Sequence, residues 1–499
     1  MPEPRPTPVH RIRTRLRSVP KALWLLLLVG ALQSIAWDIA LPAFQGPDES
    51  AHYDYIQYLA ETGSLPSATS GRSPNSSETS SALNDLNLSS LIGNFDSRPA
   101  WSSADLSYWH QAEQNLARGA RSDGDGPNPI AKNPPLYYAA MSIPYRLVVW
   151  LPLLKRLFFL RLFNSLCFLA TIGLTWMIAG DLFGRVRWKQ TLTAGVVALE
   201  PQLAFMSAVI NADSLLVTLT TALLLVALRL VRRGPTLGRV LAASSLSAAA
   251  VLTHGRGLVT LPVLCIALFV AWIRHRPAVR DTVVRAGAAA ATLGAAVVTY
   301  VLFVRSSGSG SLYGGQVTLL NSGTFNLRQF LSSIFQFYFG RFRSLQPPLG
   351  PPYGYRQVFI ETFYGTFGSL EVAFRQRVYD VLQVGSALGL VGFYTACVVR
   401  RRLLIRAWPC VVVLLSLLVC QLFFLHYVSY RALLGNGGTD PLIVGRYLLP
   451  MVSLFGLAIT FTVASLPRRT GPMLGAVVLS IGLILALGGI GITAARFYG

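Results

Sequence analysis

Charge is what this chain has least of. Asp, Glu, Lys and Arg make up 13% of its 499 residues, against about 25% in ordinary soluble domains, while hydrophobic residues make up 53% and mean hydropathy is +0.49. That shortage excludes a soluble globular domain. Cysteine is scarce too. All five, Cys167, Cys265, Cys397, Cys410 and Cys420, fall inside apolar runs, which leaves no disulfide framework and no zinc-ligand spacing. Acids are outnumbered, 21 Asp and Glu against 43 Lys and Arg, for a net charge of +22. A charge of that size can mark a nucleic-acid binder. Here the bases sit in short clusters between apolar runs, the positive-inside pattern of a membrane protein, so nucleic acid is not an expected partner. No pseudo-repeat is visible, which argues against a transporter built from duplicated halves.

What is present in quantity is apolar sequence. Runs of about 20 residues recur, the length that crosses a bilayer as a helix, and they predict an all-α polytopic membrane protein. The first span is 22–40, behind a basic tail, 1–21, that carries Arg5, Arg11, Arg13, Arg15, Arg17 and Lys21. It has no clear small-residue cleavage site and is read as an uncleaved helix leaving the cytoplasm. Residues 42–158 then form a large outer loop, in which the apolar segment 134–154 decides the later topology. If it lies on the surface, spans at 159–182, 190–210, 213–231, 238–253, 257–273, 283–304, 379–399, 407–428, 442–466 and 472–494 put every basic cluster from Arg185 to Arg469 inside. If it crosses, all of them move outside. The charge bias selects the surface arrangement. The expectation is a multi-pass protein of the plasma (inner) membrane with about 11 transmembrane helices and two juxtamembrane helices in the first outer loop. Residues 22–304 would form one module, 305–378 a second outer loop and 379–499 the last helices.

The stretch Pro47-Asp48-Glu49-Ser50-Ala51-His52 follows the first span closely. Asp48 and His52 are one helical turn apart and share a face. His52, Tyr55, Ile56 and Leu59 continue an apolar stripe, and Gly63 is a plausible stop. This predicts an amphipathic helix along the membrane surface with acids at its N-terminus. Two readings stay open: a functional acidic group, or acids that only complement the helix dipole. The Ser/Asn/Gly-rich portion, 64–130, reads as weakly ordered or acceptor-covering. Other polar groups collect on the same outer face, among them Asn211, Asp213, His254, Arg256 and the segment from Arg431 to Arg446. Charges at span ends mark sites or snorkel to lipid headgroups. Glu200-Pro201 falls in mid-span, where a carboxyl beside a helix breaker is expected to line a cavity. Phe359 to Gly368 mixes aromatics with glycines and suits either a re-entrant segment or a belt anchor.

Four motifs carry a family resemblance: Pro47-Asp48-Glu49 with His52, Asn133-Pro134-Pro135-Leu136-Tyr137-Tyr138, Pro201 through Asn211-Ala212-Asp213-Ser214, and Gly445-Arg446-Tyr447-Leu448-Leu449-Pro450. In order and sidedness the chain resembles the GT-C superfamily of integral membrane glycosyltransferases. It looks closest to bacterial predicted membrane proteins of unknown function related to the protein O-mannosyltransferases. Asn133 stands where His or Lys is usual. The resemblance implies inverting transfer of a sugar from a polyprenyl-phosphate donor to a glycan, lipid or protein acceptor on the extracytoplasmic face. It implies Asp48 as base with Glu49 and His52 as partners, and Arg446 as the first phosphate ligand, followed by Arg256 and Arg431, with Tyr447 alongside. Glu200, Asn211, Asp213, Tyr137 and Tyr364 would line the cavity or the acceptor path. No cofactor is implied with certainty. A divalent metal serves some members, and the Asp48, Glu49 and His52 group offers few ligands for one. The rival class is a membrane transporter or flippase for a lipid-linked or polar substrate. An O-antigen-ligase-like enzyme would place its large outer loop late and use a diphosphate lipid.

Overall fold

The computed structural model describes residues 20–99, 103–116, 119–306, 324–350, 353–435 and 443–499. The basic tail ahead of Pro20 and residues 307–323 of the second loop lie outside them. The α-helices of seven or more residues are, in order, α1 (Lys21–Ala40), α2 (Glu49–Thr62), α3 (Ser77–Asp85), α4 (Ser103–Leu116), α5 (Leu136–Leu147), α6 (Leu153–Asn164), α7 (Leu166–Phe183), α8 (Arg187–Ala198) and α9 (Pro201–Ser207). They continue as α10 (Ala212–Arg233), α11 (Leu237–Thr253), α12 (Thr260–His275), α13 (Val279–Ser306), α14 (Leu327–Tyr338), α15 (Gln376–Val399), α16 (Trp408–Gly435), α17 (Val452–Ala464) and α18 (Thr470–Tyr498). The strands among the described residues are two short antiparallel pieces, Thr366–Phe367 and Val372–Ala373.

Nine helices among the described residues are long and apolar enough to cross a membrane. They are α1, the continuous pair α6–α7, α10, α12 with the 3₁₀ turn before it, α13, α15, α16, α17 with its own leading turn, and α18. The chain is an all-α, multi-pass membrane protein. Two expected spans differ from these. The helix α11 has only 17 residues. The run 190–210 is not one helix, because α8 stops at Ala198 and α9 restarts at Pro201. Proline has no N–H to continue the ladder, and the Glu200 carboxylate instead accepts from the Leu203 N–H as a new cap. The pivotal segment 134–154 contains α5, whose 12 residues extend roughly 18 Å, well short of the ~30 Å hydrocarbon core.

The first outer loop corrects two expectations. Its portion 64–130 is largely built structure, with α3, α4 and buried Leu86, Leu88 and Leu91. Buried ion pairs hold it: Glu78 of α3 meets Arg156 of α6, and Arg121 donates to the same carboxylate at 3.3 Å. Gln57 adds a hydrogen bond to Glu78 at 2.8 Å, and Asp54 accepts from Thr79 Oγ1 at 2.7 Å. The second correction is α2, which does not lie exposed along a surface. Every residue from Ala51 to Gln57 is buried, because α5 covers one side and α3 another. Tyr55 stacks on Tyr138 of α5 at 3.7 Å, and Tyr53 meets Tyr145 edge-on at 6.3 Å.

One apolar core runs from Leu26 to Phe497. Phe367 is driven into it, 4.7 Å from Trp37 of α1 and 5.6 Å from Phe205 of α9, so the aromatic and glycine segment enters the core. Two ends of the bundle are distinct. At one, the last turn of α18 docks on the first loop, where Arg496 donates to the carbonyls of Leu91, Asn94 and Ser97 at 2.9, 2.8 and 3.0 Å. At the other, Asp181 of α7 holds Arg229 and Arg233 of α10, each at 2.7 Å.

Candidate active site

The site begins where α1 ends. The chain turns through Pro42 and Pro47 and enters α2 with Asp48 in left-handed conformation, φ 55°, a region that Asp tolerates better than most side chains. Asp48 makes no side-chain capping hydrogen bond. Its carboxylate is 56% exposed and stands 3.9 Å from Arg446 Nη2. The next residue behaves in the opposite way. Glu49 is buried and takes Arg161 of α6 as a two-point partner, Nε to Oε1 at 2.8 Å and Nη2 to Oε2 at 2.6 Å. Ile210 N–H adds 3.1 Å to Oε1 and Gly46 N–H 3.3 Å to Oε2. Arg161 also donates to the carbonyls of Leu41 and Pro42 at 2.9 and 3.0 Å. Glu49 thus ties together the end of α1, the start of α2, α6 and the turn before α10.

One turn along α2, His52 Nδ1 lies 2.9 Å from the Tyr138 hydroxyl, which also accepts from Asn133 Nδ2 at 3.2 Å. This hydrogen bond ties the imidazole of α2 to α5 whichever tautomer the ring holds. Burial pushes the His52 pKa down to about 4 against the upward pull of Asp48 and Asp213. The ring is neutral at neutral pH.

The opposite wall is cationic. Gly445 N–H donates to Thr362 Oγ1 at 2.6 Å, and a Cβ at this glycine would collide with the backbone of Val358, Thr362 and Phe363. That close approach fixes the next residue, Arg446, whose side chain is 13% exposed. The Tyr447 ring has two guanidiniums close to it, Arg256 at 4.2 Å and Arg446 at 5.6 Å. Arg256 is ion-paired with Asp213, and its backbone N–H bonds His254 Nδ1 at 3.1 Å. Asn211 Oδ1 accepts from the Asp213 N–H at 2.9 Å and so starts α10 and sets Asp213. Among the described residues, Nε and Nη1 of both Arg256 and Arg446 are buried without a hydrogen-bond partner. A buried unsatisfied donor costs about 1–3 kcal/mol, more when charged. Four such nitrogens gather around one tyrosine, an arrangement with the donors to receive an anion.

The structure thus groups Asp48, His52, Asn211, Asp213, Arg256, Arg446 and Tyr447. Tyr137 adjoins this group: it is buried, donates to Asn164 at 3.1 Å and lies against the Asn211 backbone. Other expected site residues fall elsewhere. Glu200 sits at the α8–α9 break, with Oε1 unpartnered, and the neighbouring Tyr364 bonds Ser386 at 3.1 Å. Arg431 is buried near the end of α16. Sequence reasoning missed Arg161 and Tyr138. An arginine inside an apolar run is a signal for a buried partner, and Arg161 carried that signal.

A divalent cation does not fit these residues. No group of three His, Cys, Asp or Glu that could hold one comes together among the described residues. The Glu49 oxygens face Arg161, and Arg446 stands beside Asp48.

Fold and site together define a multi-pass helical membrane protein with an acid facing an arginine cradle at one end of its bundle. The chain belongs to the family described as predicted membrane protein (DUF2142), which it matches over residues 31–455. No curated protein matches it. Among solved structures it is similar to ArnT from Cupriavidus metallidurans in the apo state, with TM-score 0.46 and 13% identity, covering 96% of this chain and 77% of that one. It is also similar to the apo oligosaccharyltransferase of Archaeoglobus fulgidus, with TM-score 0.45 and 12% identity, covering 95% of this chain and 56% of that one.

Proposed function

We propose that this chain is an inverting, GT-C-like glycosyltransferase that moves a sugar from a polyprenyl-phosphate donor to a hydroxyl acceptor on the extracytoplasmic face of the plasma membrane. One observation carries the reading: a half-exposed carboxylate, Asp48, stands 3.9 Å from Arg446, and Arg446 and Arg256 each keep two buried nitrogens without a hydrogen-bond partner. The acceptor O–H loses its proton to Asp48 as its oxygen bonds the anomeric carbon. The bond from that carbon to the phosphate oxygen breaks on the opposite face, and its electron pair leaves with the lipid phosphate. Arg446 and Arg256 meet the charge that develops there. Both His52 and His254 are held neutral, chiefly by burial, so the positive charge facing the leaving phosphate is that of Arg256 and Arg446. His52 orients the Asp48 end of α2 through Tyr138.

The outer-face assignment rests on the basic clusters at the far end of the bundle. With the short α11 and the broken α8–α9 segment counted as crossings, the total is eleven. Impermeant thiol labelling of Gly234→Cys, in a background without the five native cysteines, tests it. Labelling from outside in intact cells would invert the topology. The broken α8–α9 segment with its buried Glu200 favours the transporter reading, since discontinuous helices serve transport. The deciding experiment is sugar transfer by the purified protein from a polyprenyl-phosphate sugar. Transfer that is lost in Asp48→Asn supports the enzyme. Substrate movement without any transfer supports the transporter.

A further inference from the structure

At the end of the bundle away from Asp48, a groove of about 360 Å³ opens between α11, α12 and α13. The distance follows from α10, which starts beside Arg256 at Asp213 and reaches Arg233 some 20 residues later, roughly 30 Å along the axis. The groove wall is apolar: Leu268, Phe269 and Trp272 from α12, Ala286 from α13, and Pro235 and Pro277 from the connections. Its volume lies at the low end of the range for ligand pockets. Phe269 and Trp272 are stacked at 6.2 Å and both are largely exposed. In a membrane protein such a face meets acyl chains, and a tryptophan there belongs at headgroup depth.

The mouth is basic. Arg285 lines the groove itself, Arg276 immediately precedes Pro277, and Arg239 immediately precedes Val240, another lining residue. Arg239 is engaged with the carbonyls of Arg233 and Gly234 at 2.9 and 2.6 Å. Arg285 gives one nitrogen to Asp281 at 2.8 Å and keeps its other donors. His275 is turned away toward the Val231 carbonyl at 3.1 Å. An apolar slot with arginines at its mouth is complementary to a single kind of molecule, one with a hydrocarbon chain and an anionic head.

We propose that this groove is a binding site for an anionic phospholipid of the bilayer. One acyl chain lies against Leu268, Phe269 and Ala286, and the phosphate is held by Arg285 and Arg276. The occupant is a structural bilayer lipid, separate from any substrate at Asp48, and the proposal is independent of the activity proposed above. Asp281 acts as a brake on it, because it competes for Arg285.

The test is native mass spectrometry of the full chain in detergent, titrated with phosphatidylglycerol or with phosphatidylcholine of the same chains. Phosphatidylglycerol should be retained at least about fivefold more tightly, the worth of one arginine near a membrane surface. The double variant Arg276→Ala with Arg285→Ala should lose about 25-fold, and Ala286→Trp should remove the tight adduct by filling the slot. Asp281→Asn should strengthen binding by about two- to fivefold. Equal retention of the two lipids, or an unchanged adduct in the double arginine variant, would overturn the site. Asp281→Asn keeps the question open to a decision even if Ala286→Trp fails to fold: its sign must be opposite to that of the arginine variants, and weaker or unchanged binding sinks the proposal.

Discussion

Asp48 and Glu49 are adjacent carboxylates with an arginine each, and the two pairs have opposite character. Glu49 and Arg161 are both buried and joined at two points, and backbone N–H groups occupy the remaining lone pairs of Glu49. Nothing in that pair is left to offer a substrate. Asp48 and Arg446 are separated by 3.9 Å, the acid is half in solvent, and the base keeps two unpartnered nitrogens. A closed pair holds segments together, because removing either partner strands a buried charge. An open pair has capacity left for an incoming proton and an incoming anion. The difference gives residue 49 a structural part and is what supports the chemical part proposed for residue 48.

The sharpest way to break this contrast is to neutralise the two acids separately. Asp48→Asn should lower sugar transfer by about 10²–10⁴, the usual share of general-base catalysis. Thermal unfolding in detergent should hardly change, because Asp48 caps nothing and is half exposed. Glu49→Gln should do the reverse, costing about 3–5 kcal/mol of stability as Arg161 loses its counter-charge. It should show as a lowered unfolding midpoint or loss of monodisperse protein. If Glu49→Gln melts like wild type and only transfer falls, the roles of the two residues are exchanged.

A smaller effect is expected on the cationic side. Arg446→Ala should weaken donor binding by about 1.5–3 kcal/mol, the worth of a charged hydrogen bond. Arg446→Lys should recover only part, since an ammonium cannot reproduce the planar fork. Donor affinity measured by titration would separate this from folding. An unchanged affinity in Arg446→Ala would move the phosphate to Arg256.

The contrast also shows what was legible in the sequence. Nine spans could be read because an apolar run is a local property, and each of the nine overlaps one expected span. The Glu200-Pro201 break was visible as a breaker in mid-run, though the two helices it makes were expected as one. Asp48, Asp213, Arg256 and Arg446 stood out because charge is so scarce. The division of labour between Asp48 and Glu49 was not legible, because it is decided by Arg161, 112 positions away. The order in the first loop was equally hidden. Its Ser, Asn and Gly content predicts looseness, and the contacts that override it join Glu78 to Arg156, 78 positions on. Burial of Tyr53 and Tyr55 depends on α5, which returns to cover α2 from the far side of that loop.

A last test concerns pH, and it sharpens the comparison within α2 itself. His52 and Asp54 are two residues apart, both buried, and burial moves them in opposite directions: His52 from 6.5 down to about 4, Asp54 from 3.8 up to about 8. In both cases the neutral form is the one the fold holds. For His52 the unfolded chain binds the proton more readily, so its contribution is present above pH 6.5 and is lost as pH falls toward about 4. For Asp54 the folded chain binds the proton more readily, so its contribution is present below pH 3.8 and is lost as pH rises toward about 8. Other groups titrate in the same range, so the readout is a difference between proteins. Unfolding midpoints of wild type and His52→Gln should converge as pH drops from 6.5 to about 4. Those of Asp54→Asn should rise relative to wild type between pH 4 and about 8, because the amide never has to hold a proton. Parallel curves for either variant would mean that the group is solvated in the folded protein, and the first loop would then be open where the structure shows it closed.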